Sequence, residues 1–499
     1  MKDLATLTSW HSDWRDLSVA VLGLGVTGFS VADTLAELGA NVLVVAENAD
    51  ADLLDILDVI GVPHVTGEAA KVNGGVPSQL VDHAPQVLVT SPGVRPDSAV
   101  ISWAEQNAVA IWVDIDLAWR LRDKTPRVAE WITISGTNGK TTTTQLVTDM
   151  LHEGGARAIA CGNIGTPILD AIRDPDGFDF LVVELSSFQL HYLNVGEPFG
   201  EGVGVSPLAS ALLNIDYDHL DWHGGYQKYA KAKGKVFENS RVAVVFNSDD
   251  KATMKLAEDA EVMEGCRAIG FGADAPDRAE IGYVEDILVD RAFVDSYDEA
   301  QPIADLRDIE AIGVVTPHLL KNIAAASALA RAAGIDRQRI RHAIRHFRMD
   351  AHRIELVGEA GGVRWFDDSK ATNPHAAAAS LASFDKVVWV VGGLLKGVEI
   401  APLVKRFSHR IRAAVVIGVD RAPVLEALAA EAPGVAVFEI ADGSDVMKRA
   451  VEAAASAARE GDAVLLAPAA ASMDQFKDYA DRGDQFAEQV RLLIGGTDG

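Results

Sequence analysis

Trp131-Ile132-Thr133-Ile134-Ser135-Gly136-Thr137-Asn138-Gly139-Lys140-Thr141-Thr142 is the stretch on which the reading of this chain turns. The apolar, β-branched run predicts a buried strand. It stops at a glycine-bounded turn, after which Leu146, Val147, Met150 and Leu151 recur at helical spacing. A strand, a glycine loop and a helix N-terminus make an anion cradle, because the first helical N–H groups lack intrahelical partners and the helix dipole favours negative charge there. Lys140 adds a mobile cation suited to a β- or γ-phosphate, and Thr141 or Thr142 supplies a hydroxyl for Mg²⁺. Ile134 stands where a strict G-x-x-x-x-G-K-[ST] loop has its first glycine. The alternative is a glycine turn that binds nothing; Gly-Lys-Thr-Thr at a strand-to-helix junction favours ATP.

A second glycine loop lies near the start. Val19-Ala20-Val21-Leu22 runs into Gly23-Leu24-Gly25-Val26-Thr27-Gly28, then a helical segment from Phe29 to Leu38 and another apolar strand, Val42 to Val45. This fits the G-x-G-x-x-G fingerprint of a Rossmann unit, with Glu47 about where a ribose-binding acid belongs. The fingerprint recognises a pyrophosphate, which a nucleotide-sugar carries as well as NAD. Two separate phosphate loops imply two phosphorylated ligands, an uncommon pairing in a simple dehydrogenase.

Strand-like runs alternate with helical patterns nearly throughout the 499 residues, which predicts an α/β fold with parallel sheets and more than one domain. The expected division is 1–117, 118–349 and 350–499, with a polar linker from Arg120 to Pro126. The second part holds Phe180 to Glu184 as a buried strand ending in an acid, further strands at Ala211 to Asp216 and Val242 to Asn247, and an Ala-rich helix from Asn322 to Ala333. Its acidic stretch from Lys251 to Glu310 reads as peripheral strands and loops. The third part has Val363 to Phe366 running into Asp367-Asp368-Ser369-Lys370-Ala371-Thr372-Asn373-Pro374, then buried strands at Val387, Ala413 and Ala463.

The net charge of −27 argues against nucleic acid or an anionic membrane as the main partner. Two cysteines, Cys161 and Cys266, are too few for a disulfide framework or a cysteine zinc site. The mixed charges of Lys2, Asp3, Asp13, Arg15 and Asp16 are not those of a signal peptide, and no apolar run reaches the ~18–20 residues of a membrane span. A cytoplasmic location is expected.

Glu184, ending a strand beside the Lys140 strand, is placed like a Walker B acid that holds Mg²⁺; capping of the Ser186-Ser187 turn is the other reading. Taken singly, His219 reads as a hydrogen-bonded loop residue, Lys233 as a solvated helix lysine and Arg353 as a surface ion-pair partner. Asp368 and Lys370 sit on a strand-to-helix turn that could face a ligand.

The ordered set Gly23-x-Gly25-x-Thr27-Gly28, Ser91-Pro92-Gly93, Gly136 to Thr141, Gly162-Asn163-Ile164-Gly165 and Glu184-Leu185-Ser186-Ser187-Phe188-Gln189-Leu190 closely resembles the Mur ligases. Asn214 to His219, His352-Arg353, Asp368 to Asn373 and Ser472-Met473-Asp474-Gln475-Phe476-Lys477 extend the resemblance over essentially the whole chain. Ser186-Ser187-Phe188-Gln189-Leu190 and Asp474-Gln475-Phe476-Lys477 are similar to the branch that adds D-glutamate to UDP-N-acetylmuramoyl-L-alanine in the cytoplasmic stage of peptidoglycan synthesis. The resemblance implies an ATP-dependent amide ligase working through an acyl phosphate. Its three α/β domains would be a Rossmann-like UDP-binding domain, a P-loop-like ATPase domain and a Rossmann-like C-terminal domain for the incoming amino acid.

Carried over by position, Gly136, Thr137, Asn138, Gly139, Lys140, Thr141 and Thr142 form the ATP–Mg²⁺ loop. Asn322, Arg353, Asp368 and Lys370 contact the nucleotide. Thr141, Thr142, Glu184, His219 and Lys233 serve two Mg²⁺ ions, Lys233 as a carbamate made by adding CO₂ to its neutral amine. Lys140, Glu184, His219 and Lys233 make up the catalytic group. Val26, Thr27, Ser91 and Asn163 fall on the UDP-sugar side, and Thr372, Lys396, Ser472 and Tyr479 on the D-glutamate side. A monomer is expected, with no membrane insertion. Three positions depart from the family pattern: Leu319 directly after His318, where Asn is usual; Ala46-Glu47 in place of an Asp; and His191 after Gln189-Leu190, where an acid is common. Rival readings are another amino-acid ligase of the superfamily, a folylpolyglutamate synthase, an NAD-dependent oxidoreductase and a non-catalytic ATP-switched binding protein.

Overall fold

Among the described residues, three sheets carry the fold. The computed structural model describes residues 2–72, 75–196, 204–296 and 299–495. By the density of their internal contacts these form two units, Met1–Ile215 with Gly225–Leu306 and Lys321–Ile344, and Asp216–Gly224 with Arg307–Leu320 and Arg345–Gly499.

The first unit holds two of the sheets. Strands β1 (Ser18–Leu24), β2 (Asn41–Ala49), β3 (His64–Thr66), β4 (Val87–Thr90) and β5 (Ala110–Trp112) form a wholly parallel sheet in the order β3-β2-β1-β4-β5. Val19 and Val21 pack on one face while Ala20 and Leu22 pack on the other. Such a doubly covered strand needs an unbroken apolar run rather than an alternating one. The order reverses at β1, and the Gly23 loop leaves its C-terminal end there, where open α/β sheets bind ligands. The following helix, Val26–Glu37, starts earlier than the expected Phe29. Gly28 lies so close to the Gly23 carbonyl that a Cβ would overlap it.

The other sheet of this unit has nine strands: β6 (Glu130–Ser135), β7 (Ala158–Gly162), β8 (Phe180–Glu184), β9 (Ala209–Leu212), β10 (Ala243–Asn247), β11 (Arg267–Phe271), β12 (Glu280–Val284), β13 (Ile287–Asp290) and β14 (Gln301–Asp305). Their order is β14-β13-β12-β11-β10-β9-β6-β8-β7, with antiparallel pairing only from β12 to β14. β6 lies between β8 and β9, so its glycine loop also opens at a reversal of strand order.

Two sequence readings change here. The stretch read as a linker from Arg120 begins inside the helix Asp114–Leu121, and Arg120 is only 5 % exposed. Its guanidinium lies 4.3 Å over the Trp112 ring and donates to the carbonyls of Leu4 (3.0 Å) and Leu7 (2.9 Å). Backbone acceptors distant in the chain and the Trp112 ring hold the guanidinium, so local polarity misleads. The acidic stretch opens with a helix, Lys251–Asp259, N-capped by Asp250, whose side chain accepts from Ala252 N (2.9 Å). β11 then continues the parallel part of the sheet before the edge strands begin.

In the second unit, β15 (Glu355–Ala360), β16 (Val363–Asp367), β17 (Val387–Gly392), β18 (Ile411–Ile417), β19 (Ala436–Glu439) and β20 (Ala463–Leu466) are ordered β15-β16-β20-β17-β18-β19. Only the β15–β16 hairpin is antiparallel. Val387, Trp389 and Val391 fill one face, Val388 and Val390 the other, and Trp389 Nε1 donates to Ala467 O at 2.7 Å. Among the described residues no helix is long and apolar enough to cross a membrane.

Gly28→Ala forces a methyl into the Gly23 carbonyl. Its expected cost is about 1–3 kcal/mol, the usual range for overpacking, read as a lowered denaturant midpoint at unchanged slope.

Candidate active site

The loop from Gly136 to Gly139 leaves β6 and meets the helix Lys140–Glu153. Gly139 caps that helix at φ +85°, and a Cβ on it would overlap the Asn322 carboxamide. Glycine is therefore required both by conformation and by space. Asn214, just beyond β9, braces the turn: its Oδ1 accepts from Asn138 N (2.9 Å), its Nδ2 donates to Asn138 O (3.0 Å), and its carbonyl accepts from Thr137 N (3.0 Å). The Thr137 hydroxyl pairs with that of Tyr229 at 2.7 Å.

Two lysines converge on one carbonyl of this loop. Lys140 Nζ donates to Gly136 O (2.9 Å) and Thr137 O (3.1 Å). Lys233 Nζ, from the helix Tyr226–Gly234, donates to the same Gly136 O (2.7 Å) and to Ser135 Oγ (3.3 Å). Lys233 is 2 % exposed, so it is not the solvated helix lysine that its local sequence indicates. Burying an amine is costly unless its donors are satisfied, and here backbone and hydroxyl oxygens do so.

Glu184, the last residue of β8, is 3 % exposed and held at both oxygens. Thr141 Oγ1 donates to Oε2 at 3.0 Å and Asn163 Nδ2 donates to Oε1 at 2.9 Å. The turn that Glu184 could have capped is capped by Ser186, whose Oγ accepts from Gln189 N at 3.2 Å. A carboxylate and a hydroxyl meeting at a helix N-terminus form a set of hard oxygen donors that fits Mg²⁺. Asn163, placed on the nucleotide-sugar side by resemblance, is thus bonded to Glu184. Val26 and Thr27 lie at the first turn after the Gly23 loop, Val26 67 % exposed, while Ser91 is packed against Gly23. His191 is half-buried and edge-on to Tyr192. Burial foremost, then Lys235 and Lys228, hold its pKa below the usual histidine range.

In the second unit the loop after β16 gathers another group. Asp368 is buried and accepts from Ser380 Oγ. Burial pushes its pKa up to about 7, against the opposing Ser380 hydrogen bond and Arg353 charge. Arg353 Nε is buried with no hydrogen-bond partner among the described residues, so it has a donor to offer a ligand. His352 Nδ1 lies 2.6 Å from Asp367 Oδ2, and that hydrogen bond raises the histidine pKa above its ordinary value. Lys370 Nζ sits 3.7 Å over the Tyr479 ring, and Ser369 Oγ donates to Tyr479 O at 2.7 Å. Arg482, 0 % exposed, donates to Ser369 Oγ (2.9 Å), Ser369 O (2.8 Å) and Ala470 O (3.1 Å).

Thr372, Lys396 and Ser472 lie on three loops at the C-terminal edge of this sheet. Ala469 N donates to Ala371 O at 3.0 Å, and Leu394 and Ala471 exchange two backbone bonds of 2.9 Å. His219 (φ +51°) opens the short helix Leu220–His223, with its Nε2 3.6 Å from Asp218 Oδ2. Leu319 is 4 % exposed and packs as an apolar residue, Ala46 is 3 % exposed, and Glu47 lies exposed on β2.

The residues missed at the sequence level are Tyr229 and Arg482, and the bracing roles of Ser135 and Asn214 within their motifs. Each acts on a residue far away in the chain, so no local pattern marks the role. The capping box at Ser186 and Gln189 could have been found from its spacing.

Three family models match the chain: Mur ligase middle domain over residues 134–330, Mur ligase, glutamate ligase domain over 352–470, and Mur ligase MurD-like, N-terminal domain over 17–113. The chain is 53% identical to UDP-N-acetylmuramoylalanine--D-glutamate ligase of Leifsonia xyli subsp. xyli, covering 99% of this chain and 96% of that protein. It is 44% identical to the protein of the same name from Streptomyces avermitilis, covering 97% and 99% respectively. In fold it is similar to the MurF ligase from Thermotoga maritima in complex with ADP, with TM-score 0.53, 17% identity and full coverage of both chains.

Among the groups whose pKa values are raised are Asp368 and Asp116, at about 7, Asp114, at about 6, and His352, above its ordinary 6.5. A raised folded-state pKa contributes stability that is fully present below the unfolded value and is lost as pH rises through the folded one. The melting midpoint is therefore expected to fall between about pH 4 and about pH 7, and Asp116→Asn to flatten that slope, read by scanning calorimetry.

Proposed function

The chain belongs to the Mur ligase family, and from that premise we propose that it joins D-glutamate to UDP-N-acetylmuramoyl-L-alanine at the expense of ATP, a step in making peptidoglycan precursor. The observation that carries the reading is the buried Glu184 carboxylate bonded to Thr141 of the phosphate loop, beside the Gly136 carbonyl shared by Lys140 and Lys233. The chemistry needs such a site. A carboxylate is a poor acyl donor, so its oxygen first takes the γ-phosphoryl group as ADP leaves. The amine of D-glutamate then attacks the acyl carbon, the C–N bond forms, and phosphate departs.

In this reading Gly136 to Thr142 cradle the triphosphate with backbone N–H groups, and Lys140 turns from its own loop to the β- and γ-phosphates. Thr141 or Thr142 and Glu184 hold one Mg²⁺; His219 and a carbamate on Lys233 serve a second. When bound, the ions offset the repulsion between carboxylate and triphosphate. The burial of Lys233 supports the carbamate, because such a site shields it from solvent. Asn322, Arg353, Asp368 and Lys370 take the nucleotide; the orphan Arg353 Nε and the Asn322 carboxamide against Gly139 support this. Val26, Thr27, Ser91 and Asn163 receive the nucleotide-sugar, and Asn163 does so next to the carboxylate that it orients. Thr372, Lys396, Ser472 and Tyr479 hold the D-glutamate carboxylates, supported by the backbone ties among the first three loops. The proposal includes the division 1–117, 118–349 and 350–499, a monomer and a cytoplasmic location. An NAD-dependent oxidoreductase has only the Gly23 loop behind it, and the pyrophosphate of a nucleotide-sugar accounts for the same residues.

Phosphate release is to be followed with ATP, Mg²⁺ and UDP-N-acetylmuramoyl-L-alanine, supplying D-glutamate, L-glutamate, L-lysine or meso-diaminopimelate in parallel. Release only with D-glutamate, together with the dipeptide product by mass, is expected. Turnover with another amino acid alone would move the chain to a different branch. Lys140→Ala is expected to lose about 10²–10³-fold in kcat, as when a charge-stabilising group is removed. Lys233→Ala should lose activity comparably and regain part of it with added short carboxylic acids; full activity without them excludes the carbamate.

A further inference from the structure

Asp114 and Asp116 belong to a motif that the phosphate chemistry does not explain. Both are buried, at 3 % and 1 % exposed, at the start of the helix Asp114–Leu121 that follows the five-stranded sheet. Their partners lie on the segment that follows Glu184. Gln189 Nε2 donates to Asp114 Oδ1 (3.1 Å) and Oδ2 (3.2 Å), and Asn194 N donates to Asp116 Oδ1 (2.9 Å). The second oxygen of Asp116 accepts from Val113 N at 3.0 Å, within its own helix start.

The orientation of the Gln189 amide is determined. Its Oε1 accepts from Ser186 N (3.0 Å), an obligate donor, so its Nε2 must face Asp114. Ser186 is two residues from Glu184. The same segment is gripped from its other side by Lys235 Nζ, which donates to His191 O (2.7 Å) and Leu193 O (3.0 Å), two residues beyond Lys233. One short stretch, residues 184–194, thus links the five-stranded sheet, Glu184 and the end of the Lys233 helix. Buried polar links of this kind fix one geometry, because any misregister leaves a donor or a carboxylate unpaired.

We propose that Asp114 and Gln189 form a positioning pair that registers the nucleotide-sugar sheet against the phosphate loop, setting where the acceptor carboxylate meets the γ-phosphate. This rests on the ligase reading above. Both side chains are buried, so the pair acts through Ser186 and Glu184. Raised carboxyl pKa values at Asp114 and Asp116, due first to burial, agree with a link that is sealed from water.

The test is a donor–acceptor swap in the full chain. Gln189→Glu sets two carboxyl groups together and removes the donor to Asp114. Asp114→Asn with Gln189→Glu restores one donor and one acceptor in reverse, while Glu at 189 still accepts from Ser186 N. The expected result is a kcat for Gln189→Glu lower by about tenfold or more, with affinities for ATP and nucleotide-sugar, each measured alone by calorimetry, within about twofold of the parent. The double variant should recover most of kcat. If Gln189→Glu does not fold, Gln189→Met serves as the single-variant arm. A double variant no better than the single one, or affinities that fall in step with kcat, overturns the proposal. An inactive parent chain overturns the ligase reading instead, so the two failures are distinct.

Discussion

The Gly136 carbonyl oxygen is the point on which the central site depends. It accepts from Lys140 at 2.9 Å and from Lys233 at 2.7 Å, so two amines from different helices are brought to one atom of the phosphate loop. Like charges held close repel, and the carbamate proposed on Lys233 would remove that repulsion while Lys140 draws the docking phosphate. The arrangement holds only because the loop is rigid. Asn214 braces Asn138 through two side-chain bonds, Tyr229 holds Thr137, and Gly139 leaves room for Asn322. Glu184 then sets a buried negative group at the helix start, where Thr141 and Asn163 keep both oxygens oriented.

The same physical solution recurs in each sheet. Parallel strands buried on both faces leave their C-terminal ends as the place where the chain emerges into loops, and a reversal of strand order parts neighbouring loops. The Gly23 loop at β1, the Gly136 loop at β6 and the loops after β16, β17 and β20 all occupy that edge of their sheets. Helix N-termini and orphan backbone amides collect there, which suits phosphates in the first unit. In the second unit the buried Arg482 uses three donors to tie two of the loops together.

Much of this was legible in residue order. The apolar runs at Val19, Trp131, Val387 and Ala463 became strands, and the glycine loops fell where strand meets helix. Two of the errors share one cause, partners distant in the chain. Arg120 looked like linker because its partners, Leu4 O and Leu7 O, are more than a hundred residues away. Lys233 looked solvated because helical spacing does not reveal what a helix packs against; its burial comes from Tyr229 and the Gly136 loop. A different cause hides the helix Lys251–Asp259 within the stretch that reads as peripheral strands and loops: acidic surroundings weaken its apolar pattern, although Asp250 is a good N-cap.

The sequence by itself determined the α/β class, the two phosphate loops, the acid at the end of β8 and the family, since each rests on residue types at fixed local spacing. Only the tertiary structure decided that Lys233 is buried, that Asn163 orients Glu184, and that Asp114 grips Gln189. Those three facts depend on pairs of residues brought together by sheet order and helix packing. Hydrogen bonds between such distant partners leave no periodic trace along the chain.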